Sequence, residues 1–406
     1  MGSISSEGTR ENRREQAISL RARSTIVSPI LEITSLAGEM NDVVSLGWGV
    51  PSFKTPTHIR EAVRKALVDD DSLGTYSPLR GLYELREAIA ARLESQEGVK
   101  IDPQQEIAVT VGAMEALFAT LLAIVDPGDE IILPVPGFGP HASQVLLAGA
   151  TPVYVNLDEE NGWKLDAQQI ERAMSPRTKA MIVTHPSNPT GGVFGEEELK
   201  AVAELALKYN FYLIMDETYR ALIYDDQKLF NVFRIPEMRE KVVSCYSFSK
   251  EYAMTGWRVG YVYAEKRLIQ EILKVHDALV VSAPRISQIA ALAALQGPQD
   301  CVQEFKEELA ARRNLICQHL DRLPNLFAYH KPEGTFYIFP RLKLAVDSFQ
   351  FALTLLKEAK VVIIPGNAFG PDGKDHVRLC FSTERWEITE CFNRLERFIA
   401  HHHDLL

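Results

Sequence analysis

Short apolar segments alternate with helical patterns between about residues 100 and 265. Seven β-branched segments are strand candidates: residues 106–111, 130–133, 152–155, 179–184, 211–216, 241–246 and 260–264. Prolines 134 and 136 are expected to end the second of them. Between the segments the apolar positions recur at helical spacing, as in 114–124 and 196–209. Strands that alternate with helices favour a mostly parallel sheet covered on both faces. The pattern therefore predicts an α/β fold with a mostly parallel seven-stranded sheet between helices.

The pattern changes near residue 285. Helical spacing covers 286–295 and 301–323, and short strand candidates follow at 335–339, 361–364 and 377–381. This is typical of a smaller α+β unit, and a helical tail closes it. The polar residues 1–20 are predicted to form a mobile arm. We expect a large domain over 50–290 and a small domain that combines 21–49 with 291–406.

Composition narrows the classes of function. The 406 residues include 44 Lys and Arg against 54 Asp and Glu, a net charge of −10, which argues against a general nucleic-acid binder. The five cysteines contain no C-x-x-C pair, so no metal site is predicted and a reducing cytoplasm is the simpler location. No apolar run approaches the roughly 20 residues that span a bilayer. No membrane partner is therefore expected.

The strongest chemical signal is the segment SFSKEYAMTGWRVGY, which runs from Ser247 through Lys250 and Arg258. It follows one strand candidate and precedes another. A lysine in a dry pocket can lose its proton and form a Schiff base with an aldehyde. Ser247 and Arg258 could hold a phosphate beside it. The alternative is a surface lysine whose aliphatic stem packs on the protein while its ammonium group stays in water.

Further candidate residues follow the other strands. Asn188 lies in HPSNPTG after strand 179–184, and Asp216 ends strand 211–216, three residues before Tyr219. Ligands of open parallel sheets bind at the carboxyl ends of the strands. Asn188 could bind a ligand oxygen and Asp216 a cationic ring nitrogen, although a plain turn and a helix N-cap are the alternatives.

Two weaker signals complete the set. Val111-Gly112-Ala113-Met114 is a strand-to-helix turn whose amides could bind phosphate. Arg378, in HVRLCFS, could offer a bidentate fork to a carboxylate. An arginine in a strand pattern more often faces water, and such turns are common in α/β proteins.

Taken in order, the NPTG and SxSK…WRVGY motifs resemble those of fold type I pyridoxal-phosphate (PLP) enzymes, specifically class I aminotransferases of the aspartate and aromatic type. The resemblance extends from about residue 28 to the C-terminus. It implies a homodimer with active sites at the subunit interface, and a ping-pong transfer of an α-amino group to a 2-oxo acid such as 2-oxoglutarate.

The resemblance also implies roles for individual residues. Lys250, Asp216 and Tyr219 are expected to be catalytic: Lys250 carries the cofactor, Asp216 pairs with the ring nitrogen, and Tyr219 joins Asn188 at the ring hydroxyl. The other implied cofactor ligands are Ala113, Met114, Ser247 and Arg258 at the phosphate, Phe138 on the ring face, and Tyr76 reaching the phosphate of the neighbouring subunit. The implied substrate ligands are Arg378 and Gly49 at the α-carboxylate, together with Asn188 and Trp48.

The sequence departs from the resemblance where a second carboxylate would bind. Val50 replaces the glutamate of the usual GEPDF stretch, and Met114 stands where related aspartate enzymes often have lysine. In another branch of aspartate aminotransferases the partner subunit supplies an arginine for this carboxylate, and Ala278 aligns with that arginine here. Arg285 is a weaker candidate to supply the charge instead. We therefore expect an aromatic, apolar or broad amino donor.

Three alternatives remain open at this point. The first is an aspartate-preferring aminotransferase. The second is β- or γ-elimination, cyclisation or oxidation on the same fold, because the fold alone does not determine the reaction. The third, more remote, is a non-catalytic regulator that binds a ligand. A regulator of this kind would carry a DNA-binding module before the fold, and the roughly 20 to 30 residues found there are too few for one.

Overall fold

A seven-stranded sheet forms the centre of the computed structural model, which describes residues 18–25 and 28–402. Its strands are β1 (Ile107–Thr110), β2 (Glu130–Val135), β3 (Thr151–Asn156), β4 (Thr178–Thr184), β5 (Tyr212–Asp216), β6 (Val242–Ser247) and β7 (Gly260–Tyr263). Their order is β1-β7-β6-β5-β4-β2-β3. Only β7 runs antiparallel to its neighbours. The predicted α/β fold with its mostly parallel sheet is confirmed.

One strand end was predicted wrongly. β2 continues through Pro134 to Val135, although the prolines were expected to end it. β2 pairs with β4 only over Glu130–Ile132, whereas its pairing with β3 runs to Val135. Pro134 therefore lies where β2 has one strand neighbour, and its missing N–H leaves no gap in a central ladder.

The α-helices connect the strands and cover both faces of the sheet. They are Leu20–Ser24, Pro29–Gly38, Thr57–Asp69, Tyr83–Glu97, Ala113–Ile124, Pro140–Ala148, Ala167–Ala173, Glu196–Tyr209, Phe248–Glu251, Lys266–Val280, Arg285–Gln296, Asp300–Asp321, Ser348–Ala359 and Arg385–His401. Ala113–Ile124 and Lys266–Val280 cover one face. Tyr83–Glu97, Glu196–Tyr209 and Arg285–Gln296 cover the other. Strands buried on both faces explain the continuous apolar runs in the sequence.

A separate hydrophobic cluster forms around the C-terminal helices. It includes residues of Pro29–Gly38, Asp300–Asp321, Ser348–Ala359 and Arg385–His401. Its short strands are Val44–Ser45, Phe327–Ala328, Tyr337–Ile338, Arg341–Leu342, Val361–Val362, Ile364–Pro365 and Val377–Cys380. Val44–Ser45 pairs in parallel with Val361–Val362, so the N-terminal segment packs with the C-terminal part. The domain boundaries themselves stay a prediction.

Three further predictions concern the N-terminal arm, membrane spans and metal sites. Residues 1–17 of the predicted arm lie outside the described residues, and Leu20 begins a short helix. Over the described part of the chain, no helix has the length and apolar character needed to cross a membrane. Within residues 18–25 and 28–402, no cluster of His, Cys, Asp and Glu side chains could hold a metal ion.

Candidate active site

The predicted site residues follow three adjacent strands. β4, β5 and β6 are parallel neighbours in the sheet, and Asn188, Asp216 and Ser247 lie at or just beyond their carboxyl ends. Parallel strands present these ends at one edge. Residues far apart in the sequence therefore meet in one cleft.

Lys250 lies on the short helix Phe248–Glu251, whose N-cap Ser247 accepts a hydrogen bond from Ser249 N. Its side chain turns inward, and Nζ donates to the carbonyl oxygen of Gly49, 2.6 Å away. Burial, reinforced by the positive charges of Arg378 and Arg258, lowers the pKa of Lys250 to about 8. A substantial fraction of the amine is thus neutral near pH 8. The alternative of a surface lysine with a hydrated ammonium does not fit this position.

Asp216 is buried at the end of β5. One carboxylate oxygen, Oδ1, accepts hydrogen bonds from the backbone N and the hydroxyl of Thr218, at 3.2 and 2.6 Å. The other, Oδ2, lies 3.3 Å from Nε2 of His141. No helix begins after Asp216, so the N-cap alternative is wrong. His141 also packs edge-on against Phe138, with ring centroids 5.3 Å apart.

Arg378 is buried rather than exposed to water. Its Nη1 donates to Oδ1 of Asn188 at 3.3 Å, and its Nη2 donates to the carbonyl oxygen of Gly47 at 2.8 Å. The guanidinium carbon lies 4.9 Å from the centroid of the Phe369 ring. Its Nε is buried without a hydrogen-bond partner among the described residues. A buried donor without a partner is costly, which indicates a position kept for a ligand.

Arg258, Gly112 and Ser249 form a second positively charged region, called the phosphate corner below, at the start of helix Ala113–Ile124. Arg258 Nη2 donates to the carbonyl oxygen of Val111 at 3.4 Å, and its Nη1 lies 3.5 Å from Oγ of Ser249. Gly112 has φ of +77°, and an added Cβ there would lie 2.6 Å from Arg258 Nη2. The corner therefore combines a guanidinium, serine hydroxyls and the free amides of a helix N-terminus, a set suited to a phosphate.

Several predicted residues lie at the surface of the single chain. The side chains of Tyr76, Trp48 and Met114 are 80%, 50% and 36% exposed. Arg285 does not stand free as a substitute charge, because its Nε donates to Asp70 Oδ2 at 3.3 Å. Charge compensation within its own chain explains this position.

An uncharged cavity of about 780 Å³ adjoins the cleft. Phe138 and Phe369 line it on the side of the site, and other walls come from Leu31, Tyr154 and Ile182. None of its described lining residues is Asp, Glu, Lys or Arg. The cavity meets Arg378 only through Phe369, whose ring contacts the guanidinium.

The comparisons agree with this geometry. The family model for class I and II aminotransferases matches residues 41–395. The chain is 38% identical to an aspartate aminotransferase of Pyrococcus abyssi, over 93% of this chain and 97% of that one. It is 34% identical to aromatic-amino-acid aminotransferase 2 of Thermococcus litoralis, over 94% and 98%. The crystal structure of an aromatic aminotransferase from Pyrococcus horikoshii superposes with a TM-score of 0.86, at 36% identity, over 92% and 100%.

The chain belongs to the class I and II aminotransferases. It is an amino-acid aminotransferase with the PLP fold type I, as its sequence motifs predicted. Relatives named for aspartate and for aromatic substrates match it about equally well, so the comparisons leave the donor of this aminotransferase open.

Sequence reasoning missed four residues that contact the predicted site residues of this aminotransferase. They are His141, Ser249, Tyr337 and Phe369. His141 stands three residues after Phe138 in a helix that carries no catalytic motif. Tyr337 lies in the apolar strand pattern TFYIF, which is typical of a core. Only the Ser249 of SxSK carried a local signal.

Proposed function

We propose that this aminotransferase holds pyridoxal 5'-phosphate in the cleft between Lys250, Asp216 and Arg258. In this proposal Lys250 carries the cofactor and Asp216 faces the ring nitrogen. Asn188 and Tyr219 donate to the ring hydroxyl, and Phe138 covers the ring. Ala113, Met114, Ser247 and Arg258 hold the phosphate, with Tyr76 of a second subunit.

The residues present fit this cofactor. The corner at Arg258 and Gly112 offers a guanidinium and the amides of a helix N-terminus to a phosphate. A Cβ added at Gly112 would fill this space, because it would lie 2.6 Å from Arg258 Nη2. Lys250 supplies an amine whose pKa of about 8 leaves it reactive toward an aldehyde. His141 Nε2 lies 3.3 Å from Oδ2 of Asp216 and makes no hydrogen bond to the described residues. A carboxylate here is suited to a protonated ring nitrogen.

The mechanism follows from what these side chains can do. When bound, the cofactor supplies a ring that withdraws electrons from the Cα of the amino acid. Arg378 grips the α-carboxylate and fixes the orientation of Cα–H. Once the amine of the substrate has replaced Lys250 on the cofactor, Lys250 Nζ is free to accept the Cα proton and later to return it as a general acid. Asp216 keeps the ring nitrogen protonated.

The donor we propose is aromatic or otherwise apolar. The single observation that carries this is the uncharged cavity beside Phe138 and Phe369. Phe369 also contacts the guanidinium of Arg378, so the cavity is one residue away from the group that we propose for the α-carboxylate. A second carboxylate there would find no Lys or Arg among the described lining residues to offset the cost of burying its charge. Discrimination among neutral side chains is then modest, about 1–3 kcal/mol per methylene, which favours a broad range.

We also propose a homodimer. Tyr76 is 80% exposed, and it follows the 3₁₀ turn Asp71–Gly74 beside the exposed Leu67 and Val68. Large apolar side chains grouped at a surface are typical of subunit contacts. A partner that covers them would bring its own Tyr76 to the phosphate corner. A cytoplasmic location is in keeping with the five unpaired cysteines.

The test is an absorbance titration of the protein loaded with pyridoxal phosphate. Amino acids are added singly, and a 2-oxo acid, first 2-oxoglutarate, is then added. Conversion of the cofactor band by phenylalanine, tyrosine or leucine at far lower concentration than by aspartate supports the proposal. A preference for aspartate would contradict the donor class, and ammonia release without reversal by the 2-oxo acid would indicate elimination instead.

A further inference from the structure

Tyr337 contacts two residues with different expected tasks. Its hydroxyl lies 2.9 Å from the hydroxyl of Tyr219, and its ring centroid lies 4.3 Å from the guanidinium carbon of Arg378. The two tyrosine rings meet nearly edge-on, at 75°. Neither sequence motif includes Tyr337, and it is almost completely buried.

Close packing fixes the position of Tyr337. Its strand, Tyr337–Ile338, pairs with Val377–Cys380, which carries Arg378. On the other side, a Cβ added to Gly49 would lie 2.3 Å from the Tyr337 hydroxyl. The ring therefore has little freedom to move away from either Tyr219 or Arg378.

We propose that Tyr337 is a positioning residue that joins the two halves of the site. Its hydroxyl donates to that of Tyr219 and so orients the Tyr219 proton toward the ring oxygen of the cofactor. Its ring face supports the guanidinium of Arg378 beneath the substrate carboxylate. This rests on the proposed binding of pyridoxal phosphate.

The protonation of both hydroxyls agrees with this arrangement. Burial raises the pKa of Tyr337 to about 12 and that of Tyr219 well above its ordinary value. Both phenols therefore keep their protons at neutral pH. In a pair of phenols one donates to the other, and a hydroxyl that accepts a hydrogen bond becomes a stronger donor.

The hydroxyl is tested by Tyr337→Phe, with the pH dependence of the absorbance of bound pyridoxal phosphate as the readout. A hydrogen-bond donor at the ring oxygen of the cofactor favours the ionised form of that oxygen. Weakening the hydrogen bond from Tyr219 should therefore move the pH midpoint of the cofactor absorbance upward by about 0.3–1 pH unit. The matched control is Tyr224→Phe. Tyr224 is also buried, and its hydroxyl donates to the carbonyl oxygen of Thr335 at 2.5 Å. Its ring centroid lies 4.6 Å from the guanidinium carbon of Arg313. The pH midpoint of the Tyr224→Phe variant should stay at the wild-type value.

A double-mutant cycle separates positioning from general destabilisation. In a Tyr219→Phe background, Tyr337→Phe should add no further shift, because its hydroxyl then has no oxygen to act through. An unchanged midpoint in the single variant, the same shift in the Tyr224→Phe control, or full additivity in the cycle would overturn the proposal. Wild-type protein without any pyridoxal-phosphate band would instead contradict the proposed function.

The ring is tested by comparing Tyr337→Leu with Tyr337→Phe. Only the leucine variant loses the aromatic face under Arg378. Its KM for amino acids should exceed that of the phenylalanine variant about three- to thirtyfold, while kcat and the spectroscopic midpoint match. Equal KM values in the two variants would overturn the link to Arg378.

Discussion

Lys250 Nζ and the carbonyl oxygen of Gly49 form a 2.6 Å hydrogen bond across 201 positions of the sequence. The neighbouring carbonyl groups are bound in the same way. Gly47 O accepts from Arg378, and Val50 O accepts from the hydroxyl of Ser382 at 2.8 Å. The backbone of residues 47–50 is thus attached to the reactive end of the site. Changes in this segment should affect catalysis although it carries no catalytic side chain.

The depressed pKa of Lys250 predicts how cofactor uptake depends on pH. Burial lowers this pKa to about 8, so the neutral fraction of the amine approaches a tenfold fall per pH unit below 8 and at most about doubles above it. Stopped-flow uptake of pyridoxal phosphate by protein freed of cofactor should follow that fraction. Lys250→Ala should give no lasting band, whereas Lys274→Ala, which removes an exposed amine paired with Glu271, should match wild type. A rate that keeps rising toward pH 10 would show an ordinary lysine.

Asp216→Ala is expected to separate cofactor attachment from chemistry. Lys250 stays in place, so the variant should still bind pyridoxal phosphate. Loss of the carboxylate removes the charge that keeps the ring nitrogen protonated, and release of deuterium from an α-deuterated amino acid should slow about 10²–10³-fold. Deuterium release at the wild-type rate would refute the role of Asp216.

Arg378→Ala should weaken all amino donors alike. The guanidinium is positioned for the α-carboxylate, which every amino acid carries, and a charge-assisted bond is worth about 1.5–3 kcal/mol. We expect KM to rise roughly 10- to 100-fold for phenylalanine, leucine and aspartate. A large rise for aspartate alone would mean that Arg378 binds the side chain instead.

Gly49→Ala should impair both the site and its stability. The new methyl group would collide with the Tyr337 hydroxyl, which cannot retreat from Tyr219. Overpacking of this kind costs about 1–3 kcal/mol and should raise KM and lower the midpoint of thermal unfolding. The control is Gly38→Ala, because an added Cβ at that helical position would meet no atom within 4 Å beyond its chain neighbours and its own helix backbone. Equal effects of the two substitutions would contradict the contact with Tyr337.

The local pattern of apolar residues was sufficient to predict most of the central sheet. All seven strand candidates are present, because a strand buried on both faces needs a continuous apolar run and such runs are visible in the sequence. The end of β2 was missed, since whether Pro134 can stay in a strand depends on which neighbours pair there. The sequence could not supply that information.

The sequence by itself determined the types of chemistry available to this aminotransferase: an amine at Lys250, a carboxylate at Asp216 and guanidinium groups at Arg258 and Arg378. Only the tertiary structure decided which groups reinforce them. His141 reaches Asp216, and Tyr337 joins Tyr219 to Arg378, although each looks like an ordinary core residue in its own segment. Local propensity depends on neighbours in the chain, whereas burial, hydrogen-bond partners and the resulting pKa values depend on neighbours in space.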